Sequence, residues 1–287
     1  MLNGFDKLLA EQTTEAVGTS ADGSPLGVCL VGLAILAVWL WRYGGFDALA
    51  AAPVRRHCLP LRLPFALFFV WLTLMAIGMY GIESYFSQDS QQTTQQIARN
   101  GFILALNAGT IAYMLYLARQ YFARGLKGFG LRPKTLLRDA GWAAVNLAAV
   151  YPLIIGGIVL VTVLGKMLTG DGFTIPTHQT LEEITTSEPQ MRVLLIILVT
   201  LVVPVTEEML FRGLMQSAFK AILPGVWPAI IATSVLFALV HYSTHALSIF
   251  ALSCCMGYAY ERSGSLLRPI FIHIFFNTAS TAAALLG

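Results

Sequence analysis

No formally charged residue occurs between Lys220 and Glu261, and none follows Arg268. Runs like these would leave long greasy faces in water, whereas a bilayer core about 30 Å thick takes about 20 mostly apolar residues per helix. Comparable stretches lie near 25–42, 64–82, 101–118, 140–165 and from 192 to 206 or beyond, and the tail divides into 227–242, 246–260 and 269–286. The expected fold is all-α, a polytopic transmembrane helical bundle with about eight spanning helices. Only 11% of the residues are charged, against roughly a quarter in soluble domains, so lipid is the expected solvent. The net charge of +3 is not gathered into one stripe, which argues against a nucleic-acid partner.

The loops set an orientation. The first holds Arg42, Arg55, Arg56 and Arg62 against Asp47. The second holds Glu83, Asp89 and Arg99, and the third Arg119, Arg124, Lys127, Arg132, Lys134 and Arg138 against Asp139. The fourth is acidic, with Asp171, Glu182, Glu183 and Glu188. Lysine and arginine are retained on the cytoplasmic side, which puts loops one and three there and both termini outside. Proline at Pro25, Pro64, Pro224 and Pro269 stands at or near a helix entrance, where its missing N–H costs nothing. Residues 1–24 have mixed charge and no apolar h-region, so they read as a polar segment rather than a secretory signal. Cys29, Cys58, Cys254 and Cys255 match no metal or CxxC spacing and are expected reduced. No inverted repeat of the transporter kind is visible.

The run from Val193 to Phe219 is apolar except for Gln216, a few hydroxyls, and Glu207, Glu208 and Arg212. A charge near the bilayer centre costs roughly 2.5–3.5 kcal/mol on the lenient insertion scale, so three in one segment need internal partners or water. Glu208 and Arg212 are four apart and share a helical face. Glu207 lies about 100° further round and lacks that partner. A carboxylate left so in a dry cavity can serve as a general base. The bland alternative puts all three charges in the headgroups at the end of a short helix. Downstream, PAIIATSVLFALVH (228–241) ends in His241, which on its own reads more readily as a helix-end or interfacial residue than as a catalyst. In PIFIHIFFN (269–277) His273 and Asn277 are four apart on one face, and such residues usually point into the bundle. Of the five histidines, His57, His178 and His245 lie in polar connections and are expected to be solvated.

EEMLFR at 207–212, FALVH at 237–241 and HIFFN at 273–277 resemble the EExxxR, FxxxH and HxxxN motifs of the CPBP family, which comprises CAAX prenyl endopeptidases and bacteriocin-processing enzymes long grouped with the Abi proteins. Three motifs in this order on successive apolar segments are specific, and they cover roughly residues 192–287. The resemblance implies an intramembrane endopeptidase acting on a membrane protein or peptide in the lipid bilayer, with the bacterial plasma (inner) membrane as its expected place. By resemblance, Glu207 and His241 bind and activate the attacking water. His273 and Asn277 hold the oxyanion, and Glu208 and Arg212 steady the site. Members are commonly labelled metalloproteases, and Glu207, His241 and His273 are the ligands if a divalent metal such as zinc is bound. The chain has no HExxH, which favours a glutamate-activated water with no cofactor. The expected organisation is a polar segment 1–24, N-terminal transmembrane helices 25–191 and a catalytic core 192–287.

Two other functions fit the same residues. An ion-coupled transporter could use Glu207, Glu208, His241 and His273 as a proton relay, and a scaffold or immunity protein could keep the fold without chemistry. One geometric difficulty accompanies the peptidase reading. A helix rising from Pro228 carries His241 about 20 Å along its axis, whereas His273 is only about 6 Å from Pro269. For the two to meet, the 228–242 segment must begin well outside the core, or the 228–260 pair must turn within the membrane.

Overall fold

A computed structural model describes residues 24–50, 52, 55–86, 92–176, 179–241 and 243–286. The expected polar segment (all but Ser24), Asp89 and His178 lie outside the described residues. The architecture is helical: α1 (Ser24–Arg42), α2 (Arg62–Tyr85), α3 (Gln92–Tyr121), α4 (Leu136–Thr169), α5 (Gln179–Thr186), α6 (Pro189–Ile222), α7 (Val226–Leu239), α8 (Ala246–Ser263) and α9 (Leu267–Leu286). Among the described residues the only strand-like pairing is an isolated bridge between His57 and Phe122. A helix therefore stands at each of the eight expected spans, with the short amphipathic α5 added in the acidic loop. The charge-free runs underestimate α3, which begins at Gln92 and so takes Arg99 out of the second loop.

Helices α2, α3, α4, α6 and α9 are each long and apolar enough to cross a membrane. The apolar part of α1 and all of α7 are shorter, and α8 ends in Glu261 and Arg262. Large apolar side chains on α1, α2 and α4, such as Leu30, Phe69 and Val163, are exposed; in a bilayer they meet lipid at no hydrophobic cost. Helix α6 is the opposite case. Its most apolar stretch is 39% buried within the protein, against 11% for α2, so it lies in the interior, packed against α2, α3, α7 and α9.

Helix α6 is not uniformly wound. Two stretches, Leu198–Val202 and Met209–Met215, adopt the wider π-type turn and flank an α-helical segment, Val203–Glu208. Pro204 supplies a local cause for the first: it lacks an N–H and its ring crowds the carbonyl one turn earlier. Such windings gather at functional sites, and this pair brackets Glu207 and Glu208. Gly213 permits the close packing beside them, because a Cβ there would collide with the Phe129 ring.

The two ends of the bundle differ in charge, as the loops foretold. Loops one and three join through Cys58 N–H to Tyr121 O (3.0 Å) and Ala123 N–H to Arg56 O (3.0 Å), and Leu266 N–H binds Gly130 O at 2.9 Å. The basic loops thus share one end with the α8–α9 link. At the other end Glu83, Arg99 and Glu183 line one cavity, with Arg99 and Glu183 paired.

Candidate active site

Four helices deliver the motif residues to one place. The segment between the two wide windings of α6 carries Glu207 and Glu208, and the second winding carries Arg212. Helix α7 contributes Phe237 and, just past its end, His241; α8 contributes Ser253, and α9 contributes His273 and Asn277. Because α7 has only 14 residues it is about 21 Å long, short of a bilayer core. Its end consequently stops beside the second turn of α9, and the Phe237 ring packs on both imidazoles, 4.5 Å from His241 and 5.9 Å from His273 between centroids. The two histidines thus flank one phenyl ring.

Glu208 and Arg212 are fully buried and paired, with Arg212 Nη1 donating to Glu208 Oε1 at 2.7 Å. Arg212 Nη2 donates to Ser253 Oγ at 2.6 Å, and the guanidinium lies 4.4 Å above the Phe237 ring. Glu208 Oε1 also meets His273 Nδ1 at 2.9 Å. An ionised carboxylate only accepts, so Nδ1 carries the proton and Nε2 is turned the other way. There it stands 3.9 Å from Glu207 Oε2. That separation is too long for a direct hydrogen bond but allows one water, seated to the side, to reach both. The Glu207 side chain is 12% exposed. His241 Nδ1 donates to Phe237 O at 2.6 Å, which likewise fixes its tautomer and frees Nε2. Asn277 Nδ2 donates to Val199 O at 2.8 Å, a carbonyl of the first wide winding. Glu208 Oε2 and Arg212 Nε are buried without a hydrogen-bond partner among the described residues.

The structure therefore brings Glu207, Glu208, Arg212 and His273 into one cluster, with His241 joined to it through Phe237, while Asn277 is anchored on backbone. No group of three or more His, Cys, Asp or Glu side chains among the described residues is arranged to hold a metal ion. Glu207, His241 and His273 as placed do not make such a set. Ser253 was not singled out from the sequence. A serine in a charge-free helix four residues before Gly257 carries no signal until Arg212 is seen to need a partner. His57 and His245, expected to be solvated, are half-buried; burial first, and then Arg55, hold His57 below its ordinary pKa. The four cysteines are free, as expected.

Residues 189–279 match the family described as Type II CAAX prenyl endopeptidase Rce1-like, a stretch that contains all three motifs. The resemblance read from those motifs is thereby borne out. An uncharacterized 24.3 kDa protein of Escherichia coli is 28% identical over 142 residues, covering 47% of this chain and 64% of that protein. The chain thus spans less than two thirds of that relative's length. No solved structure matches.

Proposed function

We propose, from the Rce1-like match over residues 189–279, that this multi-pass membrane protein is an endopeptidase cleaving a membrane-associated protein or peptide within the bilayer. One observation carries the reading: Glu208 orients His273 so that its Nε2 faces Glu207 across 3.9 Å. A carboxylate and an oriented imidazole sharing one small gap suit a bound, activated water.

In this mechanism Glu207 takes a proton as the water oxygen attacks the scissile carbonyl carbon, and His241 Nε2 helps hold that water. Charge then builds on the carbonyl oxygen. A protonated His273, its positive charge matched by Glu208, donates to that oxygen from Nε2. Asn277 keeps one Nδ2 hydrogen for the same oxygen while the other stays on Val199 O. Collapse of the intermediate breaks the C–N bond, and Glu207 returns its proton to the departing amine. Arg212, held by Ser253 and Phe237, fixes Glu208 and through it His273. In this scheme residues 192–287 do the chemistry, and helices 25–191 enclose it and shape access for the substrate. With the basic loops inward, the protein sits in the plasma membrane of a bacterium.

The test compares the membrane proteomes of cells carrying the wild-type or Glu207→Gln chain. Peptide termini present with the wild type and lost with the variant name the substrate and support the reading. Identical termini, with ion-coupled flux lost in the variant, would replace it with the transporter.

A further inference from the structure

We propose that the cavity enclosed by Arg55, Arg56, Arg124 and Arg132 at the basic end of the bundle binds the phosphate of an anionic phospholipid headgroup. The cavity holds about 350 Å³, is completed by Ala123, Gly128 and Gly264, and has no acidic side chain in its lining. Backbone pairing of loops one and three builds it, since the Ala123 N–H to Arg56 O bond ties Arg56 and Arg124 into one rim. Its back wall is the Arg55 side chain, only 6% exposed. Arg55 is held rigidly, stacked 3.7 Å over Tyr260, donating to Tyr260 O, and paired with Glu261. Arg132 is fixed by donation from Nε to Lys127 O.

The nearest acid, Glu261, is already matched by Arg55 and Lys220. Arg56 and Arg124 are exposed, and among the described residues neither has an ion-pair partner. The cavity is therefore cationic on balance. Guanidinium forks match a phosphate's oxygens in pairs. Depth selects the source of that phosphate. Arg124 comes three residues after the end of α3, and Arg56 six residues before the start of α2. Both ends belong to candidate spans, which places the cavity at the level of the headgroups, where basic pockets between helices take anionic lipids.

The test uses the full chain in mild detergent, titrated with phosphatidylglycerol or phosphatidylcholine of the same acyl chains, and counts retained lipid by native mass spectrometry. The wild type should retain the anionic lipid preferentially. Arg56→Gln/Arg124→Gln should cut that preference by roughly tenfold, whereas Arg42→Gln/Lys134→Gln, which removes equal charge from exposed sites at the same end, should leave it. Equal loss in both pairs overturns the site in favour of diffuse attraction. Displacement of the lipid by an equal concentration of inorganic phosphate, or of an acidic peptide, also overturns the headgroup as its ligand. If the glutamine pair does not fold, Arg56→Lys/Arg124→Lys decides: a weakened preference supports the forked geometry, and full retention overturns it.

Discussion

Two buried charge clusters share α6 and α8 and differ in how their carboxylates are matched. At the basic end, Glu261 receives Arg55 and Gln216 on Oε1 and Lys220 on Oε2. One carboxylate has two cations and an amide, and both its oxygens are bonded. In the candidate active site, Glu207 and Glu208 share one arginine and one histidine; among the described residues Glu208 Oε2 has no partner and Glu207 has no cation within direct hydrogen-bonding reach. The carboxylate that ties helices together has both oxygens bonded, although Arg55 Nε and Gln216 Oε1 beside it are buried without a partner among the described residues. The carboxylate that orients His273 keeps one buried oxygen unpartnered among the described residues, at a cost in stability that the packing around α6 offsets.

The contrast makes quantities that experiment can order. The largest effect belongs to Glu207→Gln, which keeps shape and removes the base: cleavage of the identified substrate should fall by about 10²–10⁴, with helical circular dichroism and unfolding temperature unchanged. His241→Ala should act in the same sense. A Glu207→Gln protein that cleaves normally would remove the distinction between the clusters. Next comes Glu261→Ala, which strands Arg55 and Lys220 and should destabilise the protein by about 3 kcal/mol, measured by unfolding in detergent, while the folded fraction keeps its activity. Ser253→Ala removes one donor–acceptor pair from Arg212 and should cost about 1–2 kcal/mol of stability or transition-state binding, seen as a lowered kcat with KM little changed. The smallest effect concerns His57. Its folded pKa lies below the ordinary 6.5, so the unfolded chain takes up the proton more readily. Stability is full above that value and is lost as pH falls through the folded pKa; His57→Gln should flatten this acid limb in a pH series of unfolding temperatures.

Much of this was legible in the chain. Charge-free runs locate helices because a bilayer penalises each charge, and four-residue spacing gives the Glu208–Arg212 pair because it is local geometry. The same rule correctly leaves Glu207 out of that pair. What local rules miss are meetings across long sequence separations. His273 reaches Glu208 65 residues away, and Arg55 reaches Glu261 206 residues away. From the sequence, Arg55 served only as an orientation marker and Glu261 only as the edge of an apolar gap. The length of α7 was also misjudged: VLFALVH continues the apolar pattern to 241, whereas the helix ends at Leu239. Hydropathy registers where a chain can enter lipid and says little about where it turns.

Wide winding in α6 has a consequence for how the molecule tolerates change. A π-type turn houses one residue more than the α-turn it replaces, so it works as an insertion swallowed by a continuous rod. Removing a single residue from 198–202 should let that turn relax to ordinary α winding and leave everything beyond it in the same phase, whereas removing one from the α-wound stretch 203–206 should swing everything beyond it by about 100°. With 189–202 held in place, Glu207 and Glu208 would then look away from His273. Such a deletion variant, helical and inserted but inert, would show that catalysis here depends on the phase of a helix as much as on the residues it carries.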